Sequence, residues 1–368
     1  MSSFWHKLRS DFPVTKNCIY LDHAAGGPVP RPVQERVARY YREHSEHADF
    51  AWPGWMKQKE EAREKVAKFI HAEPSEIAFV QNTSHAMNLI AELLAGEGEV
   101  LTNSSEFPSS TLPWLWRKAN IAWQETENFS VPLEGLKRLL KPPVKTILTS
   151  FVQYSSGFRQ DLEAIGKIKK GRYFVVNATQ GFGALPVDVK RWNADFLCTN
   201  SYKWLLAGYG GGVLYIHKKW LSKFKPSSVG WRSMREPEAM NNRLLDPKPE
   251  AARSELGSPA FPVIFAMGAA VEYLSGIGME RIEKRILELT DFLIEGLVQK
   301  GFEVISPREP GRRSGIVVFK TKDPQKVWRK LLAKKIYVSP RGVGIRVAPH
   351  FYNSFEEIEV LLKEIKNA

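Results

Sequence analysis

The segment Ala194-Asp-Phe-Leu-Cys-Thr-Asn-Ser-Tyr-Lys-Trp-Leu-Leu-Ala-Gly-Tyr-Gly-Gly-Gly-Val-Leu-Tyr-Ile216 reads as a strand, a loop carrying one lysine, a glycine cluster and a second strand. It sets Lys203 just beyond a strand end, between Tyr202 and Trp204 and ahead of the glycines. A partly desolvated lysine loses some of its preference for the charged form, and that is the state an amine nucleophile needs. Taken alone, a surface lysine laying its stem on apolar neighbours fits the same composition. The choice rests on what surrounds it.

Working outward, β-rich runs recur at Ile77 to Val80, Glu99 to Leu101, Ile121 to Gln124, Thr146 to Ser150, Tyr173 to Val176, Asp195 to Cys198 and Val213 to Ile216. Helical patterns separate them, and further helical periodicity from about residue 31 to 72 precedes them, with Val33, Val37 and Tyr40 on one face and Ala62, Val66 and Ile70 on another. Strands alternating with helices predict an α/β fold with a mostly parallel sheet covered on both faces. After Gly257-Ser258-Pro259 comes helix from about Phe261 to Leu274, a long charged helix from Met279 towards Lys300, strand-like Phe302 to Ile305 and Gly315 to Phe319, helix-like Pro324 to Leu332, strand-like Ile336 to Val338 and Ile345 to Val347, and a closing helix opened by the capping box at Ser354. The expected division is a large domain over 18–260 and a smaller C-terminal α/β domain over 261–368, joined by an N-terminal arm, 1–17. In such sheets ligands collect at the carboxyl ends of the strands.

Composition narrows the function. A chain of 368 residues with 43% hydrophobic and 25% charged residues packs as a globular protein. The formal charge of +13 is spread over short pairs such as Lys169-Lys170 and Arg312-Arg313, with no basic segment interleaved with aromatics. A solvated basic surface is expected, and no nucleic-acid partner. The two cysteines, Cys18 and Cys198, sit in apolar strand-like contexts and read as buried inert thiols. No metal-ligand spacing occurs, no basic-then-apolar leader follows Met1, and the longest apolar run, around Ala260 to Val271, is too short to span a bilayer. A cytoplasmic protein with no metal and no membrane partner is expected. The glycines of Gly208-Tyr-Gly-Gly-Gly212 do not form a dinucleotide fingerprint and read as tight turns.

A series of motifs then appears in order: Tyr20-Leu-Asp-His-Ala-Ala-Gly-Gly27, Asn82-Thr-Ser-His-Ala-Met-Asn88, Glu106-Phe-Pro-Ser109 with Trp114, Asn177-Ala-Thr-Gln180, Ser201-Tyr-Lys-Trp204, Gly257-Ser-Pro259 and Arg346-Val-Ala-Pro-His-Phe-Tyr-Asn353. In these the chain resembles the fold type I enzymes that use pyridoxal 5'-phosphate, specifically the class V aminotransferase group that also contains cysteine desulfurases, kynureninases and isopenicillin N epimerase-like proteins. The resemblance runs over nearly the whole chain and implies an aspartate aminotransferase-like fold and a homodimer with shared active sites.

It also implies roles. Lys203 becomes the residue that carries the cofactor as a Schiff base and then acts as base at Cα. Thr83 and Ser84 open a helix and bind the cofactor phosphate, although a plain N-cap uses the same residue types. Phe107 stacks on the cofactor ring, Gln180 and Asn177 contact its polar atoms, Tyr202 lies beside it, and Ser258 completes the phosphate site of the neighbouring subunit. His23, Ala24 and Ala25 line the substrate side with Tyr154. Arg346 grips the substrate α-carboxylate through its planar guanidinium; a structural salt bridge is the other reading of that arginine.

The pattern is broken in two places. Asn177 stands where the family carries Asp, whose carboxylate keeps the ring nitrogen protonated. A charge pair at about 3 Å in an effective dielectric near 20 is worth on the order of 5 kcal/mol, so the ring becomes a weaker electron sink. No cysteine follows Cys198, and Tyr154 and Tyr202 replace the usual desulfurase Asn and His, which argues against desulfuration. The expected reaction is transamination of an amino acid against a 2-oxo acid. A lyase or epimerase on the same scaffold is the alternative, and a non-catalytic anion-binding protein is the alternative of another class.

Overall fold

The computed structural model describes residues 3–126, 129–223 and 225–366. Its strands are β1 (Ile19–Tyr20), β2 (Ile77–Val80), β3 (Glu99–Asn103), β4 (Ile121–Gln124), β5 (Val144–Ser150), β6 (Tyr173–Asn177), β7 (Phe196–Asn200), β8 (Gly212–Ile216), β9 (Val317–Lys320), β10 (Ile336–Tyr337), β11 (Ser339–Arg341) and β12 (Gly344–Val347). The large sheet has the order β2-β8-β7-β6-β5-β3-β4 and is parallel except for β8, which runs antiparallel to both β2 and β7. Every residue of β6, β7 and β8 is buried, which is why these strands read as unbroken apolar runs and not as alternating ones.

Helices cover both faces. On one, the helix Thr83–Leu94 buries Ala86, Met87, Ile90, Ala91 and Leu94 against Val175, Cys198 and Leu214. On the other, the helices Arg31–His47, Trp52–Phe69 and Phe261–Ile277 pack together in the main core. The periodicity between residues 31 and 72 is therefore two helices, broken by a 3-10 turn at Ala48–Ala51.

That packing corrects the expected domain division. Phe261–Ile277 shares the core of the large sheet through Phe265, Ala266, Met267 and Leu274. The second unit's own core begins in the next helix, Met279–Gln299, with Leu289, Leu293 and Leu297 against Phe319, Ile345 and Ile358. Its sheet, β11-β12-β9, is antiparallel. The run Phe302 to Ile305, expected as a strand, makes only an isolated bridge from Val304 to Phe319. The N-terminal residues meet the C-terminal segment: Arg9 pairs with Glu357 at 2.7 Å and the Phe12 ring stacks on Tyr352 at 3.8 Å. Among the described residues no single helix is long and apolar enough to cross a membrane, and no group of three or more His, Cys, Asp and Glu is placed to hold a metal.

One buried charge cluster ties the sheet edge to the segment that leads to Ser258. Glu255 meets Lys59 and Arg63, each at 2.7 Å, and accepts the backbone N–H of Phe79 at 2.9 Å. Burial alone pushes the Glu255 carboxyl up, but Arg63 and Lys59 outweigh it and hold the group below the usual carboxylate range. Glu255→Gln leaves two buried cations short of a counter-charge and is expected to lower stability by about 3 kcal/mol at pH 7. A depressed carboxyl stabilises above its unfolded pKa and loses that contribution as pH falls through the folded value. Urea unfolding at pH 7 and at acid pH checks both: the gap between wild type and variant must narrow in acid.

Candidate active site

The carboxyl ends of β5, β6 and β7 bring Ser150, Asn177 and Asn200 to one rim of the sheet, Ser150 being in register with Asn177. β2 ends on the same rim and hands over to the helix Thr83–Leu94; β8 begins there at Gly212. Above this rim lies a cavity of about 690 Å³ whose wall includes Asn82, Thr83, Ser84, Phe107, Ser150, Tyr154, Asn177, Gln180, Asn200, Tyr202, Lys203 and Tyr209. It sits where a parallel α/β sheet places its ligands.

Lys203 follows β7 in a tight turn. Trp204, fully buried, anchors the turn by donating its indole N–H to Gln180 Oε1 at 2.8 Å. The turn needs a left-handed residue at Leu206, φ +64°, and the chain packs so closely that a Cβ on Gly27 would overlap the Lys203 carbonyl oxygen. The result is a rigid platform for a buried amine. Lys203 Nζ has no hydrogen-bond or ion-pair partner among the described residues, and lies 5.8 Å from the Phe107 ring centre and 5.9 Å from that of Tyr202. Burial first, then the charges of Arg346 and Arg341, bring its pKa down to about 7 against a smaller opposing effect of Asp22. An amine poised at neutrality without a partner is the state that carbonyl condensation requires.

The other expected residues divide into those that meet this amine and those that do not. Thr83 and Ser84 lie at the first turn of a 12-residue helix whose N-cap, Asn82, accepts the N–H of His85 at 2.9 Å. The N–H groups of Thr83 and Ser84 have no acceptor among the described residues, and Thr83 Oγ1 is 2.8 Å from Thr179 Oγ1. Free amides with the helix dipole behind them form an anion cradle. Phe107 is 45% exposed and crosses Tyr154 edge to face at 5.0 Å. Its loop is held by Glu106, which accepts the N–H and hydroxyl of Ser150, both at 2.6 Å.

Asn177 is buried. Its Oδ1 accepts the N–H of Thr179 at 3.0 Å and its Nδ2 donates to Ser110 Oγ at 2.8 Å, which fixes the amide's orientation. Gln180 donates to the Ala24 carbonyl at 2.9 Å and keeps its second N–H. Tyr202 stacks on Tyr209 at 4.2 Å on the wall.

Five expected residues, His23, Ala24, Ala25, Ser258 and Arg346, do not line this cavity. His23 is fully buried, with Nδ1 2.9 Å from the Ala348 carbonyl oxygen and Nε2 2.9 Å from the Tyr352 hydroxyl; burial brings its pKa down to about 4. It ties the Ala24–Ala25 loop to the C-terminal segment and has no ring nitrogen left for a substrate. Ala25 is half-buried, with its N–H on the Asp22 carbonyl. Ser258 is exposed and lines a smaller adjoining cavity of about 230 Å³, which shares Gly210 and Ala260 with the main one.

Arg346 stands one layer behind Tyr154. It donates to the Tyr154 carbonyl at 3.3 Å and meets Asp22 at 3.4 Å, so a salt bridge does occupy part of it. Its Nε is buried and has no acceptor among the described residues. Burial lowers its pKa to about 10 in spite of Asp22.

The sequence reading missed Asp22, Asn200 and Tyr209. Asn200 is signalled by its place: like Ser150 and Asn177 it is the polar residue that ends a buried strand. Its Oδ1 is buried without a hydrogen-bond partner among the described residues.

The residues present fit pyridoxal 5'-phosphate: an unpaired amine for the aldehyde, a helix N-terminus with free amides for the phosphate, aromatic rings beside the amine, and unfilled amide groups on Asn200 and Gln180. Fold and site together define a pyridoxal-phosphate enzyme of fold type I. The family profile described as aminotransferase class-V matches residues 19–361. A probable cysteine desulfurase of Pyrococcus abyssi is 32% identical over 96% of this chain and 95% of its own length. The apo structure of a cysteine desulfurase from Thermococcus onnurineus NA1 superposes with a TM-score of 0.88 at 28% identity, covering 98% of this chain and 97% of that one. The cystine C-S lyase C-DES, solved with cysteine persulfide, shares the fold at a TM-score of 0.90 and 22% identity, over 97% of this chain and 99% of its own. The chain belongs to the class V aminotransferase family.

Proposed function

We propose that this enzyme moves the Cα proton of an α-amino acid with a single base, Lys203, and that its net reaction is transamination between an amino acid and a 2-oxo acid. When bound, the cofactor supplies a carbonyl carbon for the amino group and a ring that withdraws electrons from Cα. The observation that carries the reading is the cavity wall: Lys203 is its one amine, and no Asp, Glu, His or Cys lines it among the described residues. An amine half-neutral near pH 7 takes a proton from Cα and returns it at a second carbon, so one residue serves as base and acid. Thr83 and Ser84 hold the phosphate, Phe107 and Tyr202 flank the ring, Asn177, Gln180 and Asn200 meet its polar atoms, and Arg346 receives the α-carboxylate on its unfilled donor. Ser258, exposed beside Gly257 and Leu256, belongs in this reading to the phosphate site of a second copy.

Sulfur relay through a protein thiol has no residue to run on. Cys198 is fully buried in β7, and burial raises its pKa far above the usual thiol range; Cys18, expected to be buried, is half-buried, with its thiol also pushed up by burial, and lies near the Val14 carbonyl and outside the cavity. A second reading is β-elimination from a sulfur amino acid, in line with the C-S lyase named among the structural neighbours. Asn177 favours it, because a departing β-substituent carries away the electrons that a ring without a charged partner holds less well.

Product analysis with the cofactor-loaded enzyme separates the two. A 2-oxo acid keeping the amino acid's carbon skeleton, formed without free ammonia, supports transamination. Ammonia and sulfide or persulfide from cysteine or cystine select elimination, and no absorbance response to any amino acid rejects both.

A further inference from the structure

We propose that Arg341 is a second anion anchor of this site and that the preferred amino acid carries a side-chain carboxylate. The inference rests on the reading that the cavity takes an α-amino acid. β11 and β12 pair antiparallel with Ser339 opposite Arg346 and Arg341 opposite Gly344. Opposed residues, and residues two apart on one strand, share a face of the sheet. Ser339, Arg341 and Arg346 therefore lie on one face, and Ile345, fully buried in the small unit's core, on the other.

The arginine face is the one turned to the active site. Ser339 donates its hydroxyl to Asp22 Oδ2 at 2.5 Å, and Arg346 meets Asp22 Oδ1 and the carbonyl of Tyr154 on the cavity wall. Residues two apart along the strand put Arg341 roughly 7 Å further along that face, a separation a long side chain closes.

Arg341 has no structural employment that explains its place. It is exposed, it pairs with no carboxylate among the described residues, and its one side-chain hydrogen bond goes to the carbonyl of its neighbour Pro340 at 3.2 Å. Its charge is felt at Lys203, Arg346 and Asp22, and it disfavours protonation of the first two. Three cationic groups thus face one carboxylate, Asp22, beside a cavity with no acid on its wall. Like charges gathered without repayment from the fold mark a place that an anion completes. The α-carboxylate supplies one negative charge and fits the buried Arg346; a second fits the exposed guanidinium of Arg341, whose planar fork binds a carboxylate selectively over an amide.

The test compares glutamate with glutamine and aspartate with asparagine on the cofactor-loaded enzyme, reading the half-saturating concentration from the cofactor's absorbance. The expected result is saturation by the acids at concentrations lower by about 10- to 100-fold than by their amides, the span of one charged hydrogen bond. Arg341→Gln should erase that preference by raising the half-saturating concentration of the acids to that of the amides, and Arg341→Lys should restore part of it. Equal saturation by acid and amide in the wild type overturns the inference and leaves the α-amino-acid reading standing. Equal loss of both in Arg341→Gln also overturns it, since that marks a general or structural role. Silence towards every amino acid sinks both.

Discussion

Lys203→Met is expected to lose activity by about 10⁴-fold, because one side chain supplies both the amine for the cofactor and the base at Cα. The same substitution should make the cofactor-free protein more stable at neutral pH. Burial holds the Lys203 pKa at about 7, against 10.5 for an ordinary lysine. Between those values the unfolded chain binds more protons than the folded one, so stability rises with pH across that window, and below it the folded state bears the full cost of a buried charge. Methionine fills similar space without that cost. The gain at pH 7 is expected on the order of 3 kcal/mol and should vanish above about pH 10.5. Thermal unfolding of the cofactor-free proteins at pH 7 and pH 10.5, with absorbance spectra after adding pyridoxal 5'-phosphate, gives both readings. A less stable variant at pH 7 contradicts the buried, unpartnered amine, and a variant that keeps the covalent cofactor spectrum contradicts its role.

The parts legible in the sequence were those governed by local periodicity. Ile77 to Val80 and Ile121 to Gln124 match their observed bounds, and the other strands of the large sheet lie within about two residues of theirs, because turn residues and buried runs punctuate them. Phe261–Ile277 was assigned to the wrong unit for a physical reason: it is apolar almost all round, so its pattern shows that it is buried but not between which neighbours. The motif resemblance named Thr83, Ser84, Phe107, Tyr154, Asn177, Gln180, Tyr202 and Lys203, which line the cavity at or just after the ends of β2, β3, β5, β6 and β7, and it passed over Ser150 and Asn200. It failed for His23, whose two ring nitrogens are consumed by partners more than 300 residues away in the chain. No local pattern announces such a pairing. Arg341 and Glu255 were invisible for the same reason: their importance comes from cross-strand register and from a tertiary charge cluster.

Asn177 shows how structure sharpens a departure seen in sequence. The Thr179 N–H takes Oδ1, so the amide presents only a donor to Ser110 and to whatever lies beyond. A carboxylate in the same place accepts from both Thr179 and Ser110 without a change of shape. The site is thus built around a neutral donor by choice of residue, not for lack of room, and chemistry that stores less charge in the ring suits it better.

Arg346→Gln should affect stability and substrate binding separately. Asp22 is pushed above the usual carboxylate range by burial first, opposed by Arg346 and by the Ser339 hydroxyl. Removing the guanidinium drives it higher still, so the variant's Asp22 takes up a proton more readily than the wild type's. A carboxyl raised on folding costs stability as pH climbs from its unfolded value through its folded one. The deficit of the variant should therefore be small near pH 4 and reach about 2 to 3 kcal/mol at pH 7, less than a broken buried pair that cannot neutralise itself. Asp22→Asn in the same chain should recover most of that stability by removing the stranded charge. Substrate binding should not recover: the half-saturating amino-acid concentration is expected to rise by about 10- to 100-fold in the single and the double variant alike, since the lost interaction is a charged hydrogen bond to the α-carboxylate. If the double variant regains normal saturation, Arg346 serves only to neutralise Asp22, and the α-carboxylate must be held elsewhere.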